Sequence, residues 1–103
     1  MNPNELTNNS DAVILYFSHD ACNVCKVLLP KIKQLVSDKF PKVELKFVDT
    51  KNEQEVAAQF QIFTVPSILI FFEGKEYQRF SRNIGLNQLE EAISRPYQLL
   101  FDL

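Results

Sequence analysis

The stretch of sequence that decides the fold runs from Ala12 to Cys25 and reads AVILYFSHDACNVC. Its first six residues are all apolar, which is typical of a strand buried on both faces. After a short loop the apolar residues change to helical spacing, so we predict a helix over residues 22–39. Pro30 lies within this helix and should kink it, and Pro41 should end it. A buried strand therefore leads through a loop into a helix whose first turn carries two cysteines.

The rest of the chain predicts three more strands and two more helices. The strands occupy residues 43–49, 67–72 and 76–81. A turn at residues 73–75 joins the last two strands into a hairpin. One short helix is capped by Thr50, and a last helix is capped by Asn87 and stopped by Pro96. The order βαβαββα indicates an α/β fold in which a parallel β-α-β unit is followed by a hairpin and a covering helix.

The composition is typical of one globular domain of 103 residues, with 46% apolar and 23% charged residues. Over residues 1–11 we expect a polar arm that could include one helical turn. Over residues 95–103 we expect an apolar tail that folds back on the domain. A partner or dimer surface is the other interpretation of that tail. Five phenylalanines are expected in the core and the sheet rather than around a cofactor. They are Phe60, Phe63, Phe71, Phe72 and Phe80.

Charge and hydropathy argue against two classes of partner. The net charge is −2 and there is no basic block, so we expect no nucleic-acid partner. No apolar run approaches the roughly 20 residues of a membrane span, so we expect no membrane partner. The first residues resemble no signal peptide, and we therefore expect a cytoplasmic protein. We also expect a monomer.

Cys22 and Cys25 form a C-x-x-C motif at the junction between the buried strand and the helix. The positive end of the helix dipole and unpaired backbone N–H groups favour a thiolate there over the thiol. Two intervening residues in a helical turn bring the sulfurs close enough to bond. The motif predicts thiol–disulfide exchange, with Cys22 as the exposed nucleophile and Cys25, one turn deeper, as the resolving cysteine.

Two other interpretations of the cysteine pair remain open. The pair could be buried and inert, or it could be half of a zinc site. Zinc usually takes four cysteine or histidine ligands, and the chain offers two cysteines and one histidine, His19. A fourth ligand would have to come from a carboxylate or a second subunit, so we expect no metal and no other cofactor.

Three residues near the motif could modulate its chemistry. His19 could favour the thiolate as a cation or act as a base, although a solvated loop residue is the favoured interpretation. Lys26 should extend into solvent and modestly favour the thiolate. Tyr16 is expected in the core with its hydroxyl bonded to a partner, and a role in proton transfer is the secondary interpretation.

The register of several elements resembles the thioredoxin family over about residues 12–94. The apolar strand precedes the motif, Pro30 follows Cys25 by five residues, and Pro66 follows Cys25 by 41 residues. Gly74 falls at the hairpin turn of that family. The resemblance implies a thioredoxin fold, a four-stranded mixed sheet flanked by helices, with a shortened N-terminal region.

The resemblance also implies a substrate site. The Val65–Pro66 bond would be cis and lie beside the disulfide, where it exposes the backbone of Val65 to a substrate polypeptide. Thr64 adjoins this bond. The family's glycine beside the active-site groove falls at Arg82 in this register, or at Gly85 if a shift is allowed. Arg82 is either a surface charge or a residue that binds a substrate carboxylate. The predicted substrate-binding residues are therefore Thr64, Val65, Pro66 and Arg82.

The chain departs from the family pattern around the motif. Asn23 and Val24 stand between the cysteines where thioredoxins usually have glycine and proline, and this pair tunes the stability of the thiolate. Tyr16 replaces a buried acid that handles the proton of the second cysteine, and Ala21 replaces an exposed tryptophan. These departures indicate a divergent, trimmed thioredoxin-like protein.

The function expected from the motif and the resemblance is that of an enzyme. We predict a thiol–disulfide oxidoreductase that exchanges disulfides with protein substrates and is reduced by an external reductase similar to thioredoxin reductase. One alternative is a non-catalytic thioredoxin-like module that binds a partner or senses redox state. The other alternative is a glutaredoxin-like reductase that uses glutathione.

Overall fold

The computed structural model describes residues 2–8, 10–82 and 84–101, which form four helices and four strands. The helices are α1 (Pro3–Asn8), α2 (Asn23–Lys39), α3 (Gln54–Gln59) and α4 (Leu86–Phe101). The strands are β1 (Ala12–Ser18), β2 (Glu44–Asp49), β3 (Ser67–Phe72) and β4 (Lys75–Ser81). From β1 onward the elements follow the predicted order, and Pro30 lies inside α2 as predicted.

Strand β1 lies in the middle of a mixed sheet whose strand order is β2-β1-β3-β4. It pairs in parallel with β2 and antiparallel with β3, and β3 pairs antiparallel with β4. Ile14 and Tyr16 belong to a core cluster shared with α2 and α4, whereas Leu15 and Phe17 belong to a second cluster shared with α1 and α3. All seven residues of β1 are buried because helices cover both faces of the sheet.

The N-terminal segment contains the six-residue helix α1, which is longer than the single helical turn that the sequence allowed within the polar arm over residues 1–11. The side-chain oxygen of Asn2 accepts a hydrogen bond from the backbone N–H of Asn4 at 2.9 Å. Pro3 begins the helix, at a position where its missing N–H would have no intrahelical partner. Leu6 is 7% exposed and packs in the second core cluster. A single apolar residue is too weak a pattern to indicate a helix, and packing against the sheet stabilises this one.

Helix α4 continues through Pro96, so the predicted stop at that residue is wrong. Pro96 has no N–H to donate to the preceding turn. The helix persists because Tyr97 is buried, with its ring 5.2 Å from the ring of Phe40. The Tyr97 hydroxyl also accepts a hydrogen bond from the backbone N–H of Lys42 at 3.2 Å. The predicted tail over residues 95–103 thus packs on the domain through Tyr97 and Phe101, whereas Leu99 is exposed. Its last two residues lie outside the described part.

Both predicted helix caps are wrong. Helix α3 begins after Glu53, whose side chain makes no capping hydrogen bond. The hydroxyl of Thr50 instead donates to the carbonyl of Ser18 at 3.3 Å, and this bond ties the end of β2 to the end of β1. Helix α4 begins one residue before Asn87, which therefore lies inside its first turn.

The turn between β3 and β4 lies where the hairpin signal predicted it, but it consists of two residues, Glu73 and Gly74, because β4 begins at Lys75. Their φ angles are 53° and 80°, the left-handed values that a tight hairpin turn requires. A Cβ on Gly74 would come within 3.0 Å of the side-chain oxygen of Asn8. Glycine is therefore favoured here by its backbone angle and by the close approach of α1.

Candidate active site

The two cysteines lie where β1 leads into the amino end of α2. Cys22 is the residue that precedes the helix, with φ −94° and ψ 102°, and its sulfur accepts a hydrogen bond from the backbone N–H of Cys25 at 3.1 Å. A disulfide joins the two residues, whose Cα atoms are 5.3 Å apart. Cys25 is only 1% exposed, whereas Cys22 is partly exposed. The two sulfurs therefore occupy unequal environments.

The local structure around Cys22 favours a negatively charged sulfur once the disulfide is reduced. The backbone N–H of Cys25 supplies a hydrogen-bond donor, and the positive end of the α2 dipole lies at the same place. Both stabilise a thiolate more than a thiol. Cys25 lies one turn further along the helix, inside the core cluster.

Tyr16 fastens the backbone of the buried cysteine to the centre of the sheet. Its side chain is fully buried, as expected, and its hydroxyl donates to the carbonyl of Cys25 at 2.8 Å. Burial raises the pKa of Tyr16 to about 12, so the hydroxyl stays protonated at neutral pH. The hydroxyl bonds to a backbone carbonyl and not to a sulfur, so Tyr16 holds the backbone of Cys25 in position.

The other predicted modulators lie around the first turn of α2. The ring Nδ1 of His19 accepts a hydrogen bond from the backbone N–H two residues later, and the His19 carbonyl accepts one from the N–H of Cys22. His19 therefore orders the loop that leads to the nucleophile. Asn23, Val24 and Lys26 are exposed. Within the described residues, no hydrogen bond joins these side chains to either sulfur.

The four predicted substrate-binding residues come together in one connected group. The Val65–Pro66 peptide bond is cis, and Val65 borders the same core cluster as Cys22. Arg82 donates from its backbone N–H to the carbonyl of Pro66 at 3.0 Å and from Nε to the hydroxyl of Thr64 at 3.3 Å. These bonds link the segment after β4 to the segment before β3.

Arg82 has a φ of 61°, in the left-handed region that favours glycine. In the ungapped register this is the position at which the resemblance places a glycine, and Gly85 is the alternative if the register shifts. The backbone geometry therefore suits a glycine, while the residue present adds a long cationic side chain to the rim of the site.

An apolar groove of about 450 Å³ runs along α2 beside the motif. Its lining residues are Asn23, Val24, Val27, Leu28, Lys31, Arg82 and Ile84. Val24 and Val27 are 63% and 62% exposed, which is high for valine. Sequence reasoning missed Val27, Lys31 and Ile84. The spacing of residues 24, 27 and 31 along one helix face was the signal that could have found the first two.

Phe63 lies on the surface, so the prediction that it belongs to the core is wrong. It is 91% exposed and, with His19 and Val65, lines a pocket of about 180 Å³. It lies in the loop before β3, and none of the described helices and strands covers it. The prediction holds for Phe60 and Phe71, whose ring centroids are 5.8 Å apart beside the second core cluster.

The acid nearest the motif in sequence is engaged elsewhere. Asp20 accepts a hydrogen bond from Lys51 at 3.0 Å, and this bond holds the pKa of the Asp20 carboxyl below its ordinary value. Across residues 2–8, 10–82 and 84–101, no three histidine, cysteine or acidic residues lie close enough together to hold a metal ion. None of the helices in that part of the chain is long and apolar enough to cross a membrane.

Comparisons with known proteins identify the class to which this fold and site belong. The thioredoxin family model matches residues 3–95. The thioredoxin-like protein YdfQ of Bacillus subtilis (strain 168) is 38% identical over 85 residues, which cover 82% of this chain and 75% of that protein. The thioredoxin of Chlamydia trachomatis is 29% identical over 84 residues, covering 82% of this chain and 78% of that one. Among solved structures, thioredoxin 1 of Thermosipho africanus TCF52B has a TM-score of 0.78 at 31% identity, covering 85% of this chain and 97% of that one.

The chain belongs to the thioredoxin family and has the thioredoxin fold. Its Cys22–Cys25 pair occupies the C-x-x-C motif, and the protein is a thiol–disulfide oxidoreductase. These findings confirm the fold class and the activity predicted from the sequence. Membership of the family implies protein disulfide substrates and reductase partners in general.

Proposed function

We propose that Cys22 attacks substrate disulfides and that Cys25 resolves the mixed disulfide. The observation that carries this assignment is the unequal exposure of the pair. Cys25 is 1% exposed within the core cluster, whereas Cys22 is partly exposed at the start of α2. An attacking thiolate must approach a disulfide along its S–S axis, so the accessible cysteine is the one whose thiolate can reach a substrate disulfide.

The reaction proceeds in two exchange steps. The Cys22 thiolate attacks one sulfur of the substrate disulfide, forms a mixed disulfide and releases the first substrate thiolate, which takes up a proton. Cys25 then loses its proton and attacks the sulfur of Cys22, releasing the second substrate thiolate. Two electrons pass from the protein to the substrate, and the protein is left with the Cys22–Cys25 disulfide. An external reductase similar to thioredoxin reductase then restores the dithiol.

The proposed substrate contacts are Thr64, Val65, Pro66 and Arg82. Their support is the hydrogen-bonded link between Arg82 and the loop before β3, next to the core cluster that Cys22 borders. Proposed modulating residues are His19 in the preceding loop and the Asn23–Val24 pair in the first turn.

We further propose a monomer that acts in the cytoplasm. Two cysteines in one reactive pair, with none left for a structural disulfide, suit a reducing compartment. Sedimentation of the reduced protein tests the monomer, and a fluorescent fusion in the native host tests the compartment.

The assignment of the two cysteines is tested by alkylation and trapping. In the reduced protein, iodoacetamide should label Cys22 much faster than Cys25. Cys22→Ser should abolish the reduction of insulin disulfides, and Cys25→Ser should accumulate mixed disulfides. Equal labelling rates would contradict the assignment. Absence of insulin reduction by the unaltered protein, with a dithiol reductant present, would favour a binding module over an enzyme of protein disulfides.

A further inference from the structure

Two cations from different elements line the apolar groove beside Cys22. Lys31 lies on α2, and Arg82 lies just after β4. Within the described residues neither is paired with a carboxylate, and no acidic residue lines the groove. The whole chain carries a net charge of −2, so this cationic groove is a local feature and does not reflect a basic surface.

The guanidinium of Arg82 is held in place before any substrate arrives. Its Nε donates to the hydroxyl of Thr64, and its backbone N–H donates to the carbonyl of Pro66. No further hydrogen bond engages its other N–H donors within the described residues. A guanidinium that is already positioned loses less conformational freedom when it binds a carboxylate.

The groove has the length of a short extended peptide. Val24, Val27 and Lys31 are spaced along one face of α2, and both valines are more than 60% exposed. From Asn23 to Lys31 the helix rises about 12 Å. Three or four residues of an extended chain cover about that distance. A peptide whose cysteine is bonded to Cys22 can therefore place apolar side chains on the valines and a carboxylate at Lys31.

We propose that this groove selects protein substrates whose reactive cysteine lies in an apolar segment with an acidic residue three or four positions away. Lys31 and Arg82 attract the carboxylate, while Val24 and Val27 bury apolar side chains of the segment. This inference rests on the proposed role of Cys22 as the nucleophile, and it adds the class of substrate that the nucleophile prefers.

The test compares two synthetic peptides, each supplied as a disulfide-linked dimer. Both carry leucines next to the cysteine, and they differ only in having aspartate or asparagine at the third and fourth positions on either side. The rate of reduction by the thiolate of dithiothreitol, a small nucleophile with no groove of its own, normalises the intrinsic reactivity of each disulfide toward an anionic thiolate. We expect the reduced protein to show about a tenfold higher kcat/KM for the aspartate peptide, mainly through KM. About 0.5 M salt should remove most of this preference.

Variants of the two cations locate the preference. Lys31→Gln should lower kcat/KM for the aspartate peptide by about three- to fivefold, the size of one exposed charge pair, and leave the asparagine peptide unchanged. Arg82→Gln should lower kcat/KM for both peptides, because Arg82 is also a proposed substrate contact, and the loss should be about three- to fivefold larger for the aspartate peptide. Lys33→Gln and Arg95→Gln are the matched controls, because they remove exposed charges of the same type outside the groove. The rate at which iodoacetamide labels Cys22 should be the same in all these variants.

Three results of these measurements would overturn the proposed substrate preference. If both peptides are reduced at equal normalised rates, the inference is wrong, while the role of Cys22 stands. If the groove variants slow both peptides and iodoacetamide alike, the cations act on the thiolate and not on the substrate, and the inference is again wrong. If neither peptide is reduced at all, the proposed function fails, and the inference fails with it.

Discussion

Replacing Tyr16 with phenylalanine removes one buried hydroxyl and leaves the ring in place. The hydroxyl donates to the carbonyl of Cys25 at 2.8 Å from a fully buried side chain. A buried hydrogen bond of this kind contributes about 0.5–1.5 kcal/mol to the free energy of unfolding, and the carbonyl left behind loses a partner. We expect Tyr16→Phe to lower the free energy of unfolding by about 1–1.5 kcal/mol. For a domain of this size, that corresponds to a fall in Tm of about 4–12 °C.

The assay is urea unfolding of both the oxidised and the reduced protein, with Tyr77→Phe as the control. The Tyr77 hydroxyl belongs to a side chain that is 52% exposed, so its removal should change stability by less than about 0.5 kcal/mol. Because the partner of Tyr16 is a backbone carbonyl, the loss should be similar in both redox states. The redox potential shifts by the difference between the stability lost by the oxidised protein and that lost by the reduced protein, at roughly 30 mV per 1.4 kcal/mol. Because the two losses should be similar, we expect a shift in potential below about 10 mV.

The same variant has a signature at alkaline pH. The pKa of Tyr16 is raised to about 12 in the folded protein, against about 10 in an unfolded chain. Between these values the unfolded chain has lost the proton that the folded protein keeps, so stability falls as the pH rises, by up to about 1.4 kcal/mol per pH unit. Tyr16→Phe should remove this component of the decline.

Two results would refute this account of Tyr16. One is unchanged stability in Tyr16→Phe, which would mean that the bond to Cys25 contributes nothing. The other is a loss confined to the reduced protein together with a potential shift above about 20 mV, which would mean that the hydroxyl acts on the sulfur of Cys25 and not on its backbone.

Three further predictions concern the backbone and the surface charges. Arg82→Gly should be more stable than Arg82→Ala by about 1 kcal/mol in urea unfolding. Both variants lose the long side chain, but only glycine adopts a φ of 61° freely. Equal stability would show that the backbone at residue 82 is not strained. Pro96→Ala should raise the free energy of unfolding by about 1–3 kcal/mol by restoring a donor inside α4, and a destabilised variant would show that the helix needs the proline. Hydrogen bonds from Arg79 lower the pKa of Glu76. The pair therefore stabilises the folded protein at pH values above the ordinary glutamate pKa. This stabilisation is lost as the pH falls through the lowered pKa of Glu76. An NMR titration should show the pKa of Glu76 rising in Arg79→Gln and staying unchanged in the control Arg95→Gln.

The strands, the long helices and the redox pair were predictable because their signals are local. Six consecutive apolar residues indicate a strand buried on both faces, and β1 is buried along its whole length. The position of Cys22 at the start of a helix follows from the change of period after residue 21. The wrong predictions concern residues whose local sequence signal is overridden by the tertiary structure. Pro96 is a strong helix stop in isolation, and the burial of Tyr97 against Phe40 overrides it. Phe63 is apolar, yet its side chain is 91% exposed because none of the described helices and strands covers its loop.

The sequence by itself determined the order of elements from β1 onward, the central strand and the chemistry of the C-x-x-C pair. These features depend on the periodicity of apolar residues and on the start of one helix, and both are set by residues close together in the sequence. Only the tertiary structure decided which residues surround the pair. Lys31 and Arg82 are 51 residues apart in sequence and line one groove, and Arg82 joins Thr64 through a hydrogen bond. Contacts between residues so far apart in sequence depend on how the sheet and the helices pack. The packing energy comes from all the contacting elements together and cannot be inferred from the sequence of any one of them.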